Sequence, residues 1–297
     1  MNFYKKIIKS KKLRFKILSM LRFIPDKPML KLQYFIKCGR RLNLKNPQRY
    51  TEKLQWYKLY YRDPVMQQCA DKYAVRQFVK DRGLGGILND LYAVFETPEE
   101  IYFDNLPKAF VLKLSNGSGT NLLIKDKSQW DVEAVRRKFA EFYAQSGASA
   151  GREWVYKTDK KPVVVAERYL EDTQQQEGGL CDYKIMCFDG EPYCIICHYD
   201  RYTDHRSNIY DLQWNELMVE GNYPRGGGVS KPAGFEEMLE IARGLSDGFP
   251  SVRVDLYLVN GKIYFGELTF FHCSGYVKYN PDSFDFELGR QFALPEK

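Results

Sequence analysis

The chain holds no run of about 18 or more apolar residues, and its mean hydropathy is -0.49, so no membrane-spanning helix is expected. Histidine is scarce: His198, His205 and His272 are the only three, and they stand at no familiar metal-ligand spacing. The seven cysteines are odd in number in a long chain without a disulfide-scaffold composition, so they are expected to be reduced, as in a cytoplasmic protein. Cys194-Ile195-Ile196-Cys197-His198 fits the C-x-x-C-H pattern of covalent haem attachment, but it follows an Asp189-Gly190 turn and reads as a core strand. No second C-x-x-C exists to complete a zinc site, and no G-K-[ST] exists to complete a Walker loop. A secretory signal is not expected either, because Arg14, Lys16 and Arg22 interrupt the only candidate apolar core.

What is present argues for a folded protein, since aromatic residues make up 15% of 297 residues, with 22 tyrosines. Charge is unevenly spread. Residues 1–45 hold fourteen Lys or Arg against Asp26 alone, which is +13, so the remainder carries -6 of the net +7. Within that basic segment Leu13, Ile17, Met20 or Leu21, and Ile24 fall on one helical stripe that Pro25 stops. Two readings stay open for residues 1–24: a basic amphipathic helix resting on an anionic membrane surface, or a helix packed on the body with its lysines in water. Nucleic acid is not an expected partner, because no aromatic-and-basic groove pattern recurs downstream.

From Asn46-Pro47 onward the elements follow in order. Thr51 is expected to cap a helix through Tyr61. Asp63-Pro64 opens another, ended by Gly83, and both read as scaffold. The strand Ala109–Leu114 runs into Ser115-Asn116-Gly117-Ser118-Gly119-Thr120, and Asn121–Ile124 returns. A Gly/Ser loop between strands lets backbone N–H groups face an anion at close range, and Lys113 supplies a charge beside it, although hairpin loops are also glycine-rich for conformational reasons alone. A helix from about Gln129 to Gln145 precedes the strand Pro162–Leu170, which ends in Glu167, Tyr169 and Leu170, and then the hairpin Asp182–Tyr193, which carries Lys184.

The last hairpin is the most informative stretch. Val252–Val259 and Ile263–Phe270 alternate apolar and polar residues around Asn260-Gly261, a strong two-residue turn signal. Pairing Val259 with Lys262 brings Asp255 level with Tyr264–Glu267, so two carboxylates can share a face with Arg253. Such a pair is unfavourable unless a cation sits between its members. Oxygen-only ligands suit Mg²⁺, and an adjacent arginine suits a transferring phosphoryl group. Exposed hairpins also carry these residues simply because one face is wet, so the hairpin alone leaves a structural reading open.

Taken in order, the strand lysine before a glycine loop, the strand ending in Glu-x-x-Leu, the second strand lysine, and R-x-D followed by E-x-T resemble the ATP-grasp ligases. Asn46–Trp56, Ala70-Asp71-Lys72-Tyr73-Ala74-Val75-Arg76, Phe110–Gly119, Asp182-Tyr183-Lys184 and Phe265–Phe270 resemble more narrowly the branch named for teichuronopeptide biosynthesis (TupA-like). The resemblance implies an α+β ATP-grasp fold: two α+β lobes with antiparallel sheets clasping ATP, at about residues 110–170 and 180–297 of a catalytic region 46–297, preceded by the helical segment 1–45. It implies that Lys113 and Lys184 touch the nucleotide phosphates under a lid of Asn116, Gly117, Ser118, Gly119 and Thr120. Glu167, Tyr169 and Leu170 would form the adenine slot, and Asp255, Glu267 and Thr269 would hold Mg²⁺, Thr269 standing where the wider superfamily has asparagine. Glu171, Asp172 and Glu177 stay open as ribose contacts.

The implied reaction is ADP-forming carboxylate–amine ligation through an acyl phosphate, with Arg253 and the two lysines neutralising the anions. The implied substrates are a uronic acid or other carboxylate and an amine, on a lipid-linked or nucleotide-linked glycan of a surface polysaccharide. A kinase acting on a sugar hydroxyl and a non-catalytic nucleotide-binding adaptor are the alternatives. Residues 200–228, with His205, Arg206 and Arg225, are the expected acceptor region.

Overall fold

The computed structural model describes residues 21–147, 150–172 and 179–296. The stripe Leu13, Ile17 and Met20, with residues 1–20 of the basic segment that carries it, lies outside them, as does Glu177. The end of that segment is tied to the body, because Arg152 donates to the carbonyls of Leu21 (2.8 Å) and Ile24 (3.0 Å). No helix among the described residues is long and apolar enough to cross a membrane.

Helices come first: α1 (Asp26–Cys38), α2 (Tyr50–Tyr60), α3 (Pro64–Ala70) and α4 (Val75–Asp81). The first sheet then combines β1 (Leu91–Phe95), β2 (Phe110–Leu114), β3 (Asn121–Ile124) and β4 (Val164–Arg168) in the order β1-β4-β2-β3. Every neighbouring pair in it is antiparallel. Helix α5 (Val132–Ala144) closes one face, where Val135 and Phe139 pack with Phe110, Leu112 and Val164. Its start lies later than the apolar pattern suggests, because Asp131 accepts from the N–H groups of Glu133 and Ala134 and caps the helix there.

The second sheet holds β5 (Asp182–Phe188), β6 (Glu191–Tyr199), β7 (Arg206–Tyr210), β8 (Glu216–Leu217), β9 (Ser251–Val259) and β10 (Lys262–Thr269) in the order β10-β9-β5-β6-β7-β8. Helix α6 (Phe235–Ser246) buries Phe235, Met238, Ile241, Ala242 and Leu245 against it, and α7 (Ser283–Gln291) packs on α2. Burying a large apolar side chain there contributes about 1.5–3 kcal/mol relative to leaving it exposed. The Cys194–Cys197 run is the buried centre of β6, and no disulfide joins any of the seven cysteines, all of which lie among the described residues.

Two local expectations change. Helix α2 starts before Thr51, because the Glu52 carboxylate accepts from the N–H groups of Gln48 (3.0 Å) and Arg49 (3.2 Å) and closes the first turn around Arg49. The helix expected from Pro64 to Gly83 is two helices, because Asp71 accepts from the N–H groups of Tyr73 and Ala74, each at 2.9 Å, and turns the chain between them.

Thr51 instead binds a partner distant in sequence. Its N–H and hydroxyl donate to Asp285 at 3.0 and 2.7 Å, and Tyr34 Oη lies 2.8 Å from the hydroxyl. Burial raises the Asp285 carboxyl from 3.8 to about 6. A raised carboxyl contributes stability when protonated, so its contribution is full below pH 3.8 and is lost as pH rises through about 6, roughly 3 kcal/mol in all. Urea midpoints measured across that window should fall more for wild type than for Asp285→Asn, which has no proton to lose. Parallel slopes would show that Asp285 does not titrate there.

Candidate functional site

The second sheet builds its half of the site by register. Asp255 on β9 faces Lys184 on β5 and Glu267 on β10, while Arg253 faces Thr269. Regular pairing from Val259–Lys262 would put Glu267 opposite Val254, on the wrong face. A bulge at Gly266 absorbs one residue, so Phe265 pairs with Leu256 but Glu267 pairs with Asp255. A Cβ at Gly266 would lie 2.9 Å from the Asp255 carbonyl oxygen and 3.0 Å from the Tyr257 ring, which leaves glycine as the residue that fits.

Arg253 is the hub of the row. Its Nε and Nη2 donate to Asp255 at 2.6 and 2.7 Å, and Nη2 also reaches Glu267 Oε1 and Thr269 Oγ1, both at 3.0 Å. Its Nη1 lies 2.5 Å from His272 Nδ1. Lys184 pairs with Asp255 and with Asp182 (2.7 Å), which Arg201 also holds at 2.6 Å. Burial alone would raise the Asp255 carboxyl, but Arg253 and Lys184 hold it well below the usual carboxylate range. Burial, reinforced by Arg253, keeps His272 neutral, which leaves a nitrogen lone pair for that arginine.

The first sheet supplies the facing half. Lys113 on β2 pairs with Glu167 on β4 at 2.7 Å, and Arg76 from α4 reaches the same carboxylate at 3.2 Å. Lys72, in the break between α3 and α4, donates to the carbonyls of Leu114 (3.1 Å) and Gly117, while Asp71 accepts from Ser115 Oγ at 2.6 Å. That break therefore holds the glycine loop. Burial lowers the Lys72 ammonium pKa, opposed chiefly by Glu267 across the cleft. Lys72, Arg76, Lys113 and Glu167 meet Tyr257 and Glu267 around a cavity of about 80 Å³, so both sheets face one charged cleft.

Asn116 donates to the Tyr156 carbonyl at 3.1 Å, Ser118 is exposed, and Gly117 and Gly119 take φ of 127° and 74°. Tyr169 and Leu170 follow β4 half-buried and do not line the small cavity; Lys125 Nζ lies 5.9 Å from the Tyr169 ring. Among the expected acceptor residues, His205 contacts His198 at 2.9 Å, Arg206 pairs with Asp204, and Arg225 with Glu216 at 2.5 Å.

Sequence reading missed four participants: Lys72, Arg76, Asp182 and His272. Lys72 and Arg76 lie within Ala70–Arg76, a stretch that carries the family resemblance, but its helical pattern reads as scaffold. His272 was weighed only as a metal ligand.

Among the described residues no three His, Cys, Asp or Glu side chains gather as a metal cage. Two carboxylates and a hydroxyl do converge, and Arg253 Nη2 sits among them, so one point within this triad already holds positive charge. An all-oxygen set of this size fits Mg²⁺, which completes its shell with water and phosphate.

Two antiparallel sheets meeting across a cleft lined by paired cations and carboxylates define an α+β protein of the ATP-grasp class. The chain belongs to the TupA-like ATPgrasp family, whose profile matches residues 52–293. Among solved structures it is similar to the D-alanine–D-alanine ligase from Bacillus anthracis complexed with ATP (17% identity, 68% of this chain and 53% of that one, TM-score 0.39). It is also similar to the same enzyme from Helicobacter pylori (14%, 76% and 61%, 0.44) and to phosphoribosylamine–glycine ligase from Thermotoga maritima (16%, 69% and 48%, 0.43). The chain thus spans about half to three-fifths of those proteins. None of the curated proteins compared with it matches.

Proposed function

We propose that the protein is an ATP-dependent, ADP-forming carboxylate–amine ligase. The observation that carries the proposal is the convergence of Asp255, Glu267 and Thr269 on one cationic point within reach of Lys184, opposite Lys72 and Lys113 on the facing sheet. On this reading Glu267, Thr269 and Asp255 hold Mg²⁺, and Lys72, Lys113, Lys184 and Arg253 hold phosphate oxygens. Bound Mg²⁺ would neutralise charge on those oxygens. Arg253 is shared between the metal triad and the incoming anion, and His272 fixes its guanidinium plane from behind. The loop Asn116–Thr120 covers the phosphates and excludes water, with Lys72 as its tether. Glu167, with the backbone at Tyr169 and Leu170, takes the adenine, which requires its carboxylate to loosen from Lys113 and Arg76.

The carboxylate substrate is read as a uronic acid or similar group of a surface polysaccharide, which rests on resemblance to the branch. The test is trapping. With ATP, Mg²⁺ and glucuronate as probe, hydroxylamine should yield a hydroxamate together with ADP and phosphate. A phosphorylated sugar without hydroxamate would favour transfer to a hydroxyl instead, and release of AMP would rule out the proposal.

A further inference from the structure

A second cavity, of about 370 Å³, adjoins the glycine loop. One wall is Asn116–Thr120, and the other is built by Gly151, Glu153, Tyr156 and Ser274. Glu153 is the only charged side chain on the lining among the described residues, and it is 8% exposed. Its carboxylate accepts from Ser274 Oγ. On the loop side, Thr120 Oγ1 is buried with no hydrogen-bond partner among the described residues.

The wall that carries Glu153 is held in an unusual conformation. Cys273, Ser274 and Gly275 are three successive left-handed residues, with φ of 47°, 55° and 66°. A non-glycine residue held there costs about 1–3 kcal/mol, and such a conformation persists where its surroundings over-determine it. Lys58 does so from beneath: its buried ammonium donates to the carbonyls of Ser274 (2.7 Å) and Gly151 (2.8 Å) and to Gln55 (3.2 Å). Gln55 donates in turn to the Gly275 carbonyl at 2.9 Å. A Cβ at residue 151 would lie 2.3 Å from Ser274 Oγ and 3.0 Å from Glu153 Oε1, so glycine there lets both groups line the cavity. Tyr156 links this wall to the charged cleft: after burial, Glu153 and Glu267 are the groups that push its hydroxyl pKa up.

A cavity of this volume with one negative wall fits an ammonium compound of amino-acid size. A phosphate there would meet the like charge of Glu153. We propose that it is the binding site of the amine substrate, with Glu153 receiving the ammonium and Thr120 contacting the molecule from the facing wall. The substrate's role as nucleophile rests on the ligase reading above, whereas the ammonium site itself does not.

Binding is measured on the full chain by thermal shift and calorimetry, with the standard L-amino acids and putrescine as probes. At least one probe should bind wild type, and Glu153→Gln should weaken it at least about tenfold, as expected for loss of a charge-assisted hydrogen bond, while ATP–Mg²⁺ binding is unchanged. Equal binding by both proteins, or no probe bound by wild type, overturns the proposal. Should Glu153→Gln also lose ATP binding, Ser274→Ala takes its place, and unaltered amine binding by that variant overturns the proposal as well. Hydroxamate formation by wild type is followed in parallel, because hydroxylamine is uncharged near neutral pH and needs no ammonium receptor. Amine binding that depends on Glu153 without hydroxamate in wild type would keep the site and remove the ligase reading.

Discussion

Glu267→Ala is expected to release ADP at least about two orders of magnitude more slowly than wild type at saturating Mg²⁺, since metal-centred neutralisation contributes several kcal/mol to such transition states. The same variant should melt close to wild type. Half of the Glu267 side chain is exposed, and its partners Arg253 and Thr269 each contact other groups, so removing it leaves no isolated buried charge. Catalysis and folding are therefore separable at this residue. Turnover near the wild-type rate would take Glu267 out of the metal site.

Asp255→Asn should behave in the opposite sense, as a stability variant first, losing about 3–5 kcal/mol, the cost of breaking a buried ion pair. From sequence, two carboxylates on one face suggest that removing one relieves repulsion. The structure reverses this expectation, because Asp255 is 1% exposed and lies between Arg253 and Lys184. Neutralising it leaves buried Lys184 with Asp182 alone, a carboxylate that Arg201 also draws on, and buried Arg253 with the half-exposed Glu267 alone. Urea unfolding should show a lower midpoint with an unchanged slope, and adding Lys184→Met should recover part of the loss, since the two residues are in contact. An Asp255→Asn protein as stable as wild type would mean that the pair contributes nothing net to folding.

The sequence made the strands readable because their signals are local. Asn260-Gly261 turns the last hairpin, with φ of 50° and 77° at its two residues, and Asp189-Gly190 turns the one before, with 49° and 81°. The row Arg253, Asp255, Glu267 and Thr269 follows from strand pairing once the bulge at Gly266 has shifted the register by one residue. Lys72 and Arg76 were not readable as site residues, because what brings them to the cleft is a break in a helix. Asp71 turns the chain there through local bonds, but what ties that turn to the glycine loop is the Ser115 hydroxyl on the same carboxylate, 44 positions later, which no helical periodicity reports. His272 was obscured in the same way, since its meaning comes from a guanidinium 19 residues away. The counter-ions also escaped notice: pairing places Asp255 beside Glu267, but burial decides that Arg253 and Lys184 answer its charge.

The bulge at Gly266 turns the site into a matter of counting. Apolar positions fall on odd numbers at Ile263 and Phe265 in β10 and on even numbers at Leu268 and, just past the end of the strand, Phe270, a change of phase across a single residue. Deleting Gly266 would restore a uniform rhythm and leave Glu267 opposite Asp255 in regular pairing, but keeping Gly266 and pairing it regularly, without the bulge, would set Glu267 opposite Val254, on the core side of the sheet. An insertion of one residue elsewhere between Asp255 and Glu267 would misalign the pair in the same way, whereas two residues added at the turn would lengthen the hairpin and preserve the facing carboxylates. Spacing between the two acids should therefore vary in even steps among chains that keep this bulge, and an odd step should signal that the bulge has been lost or moved.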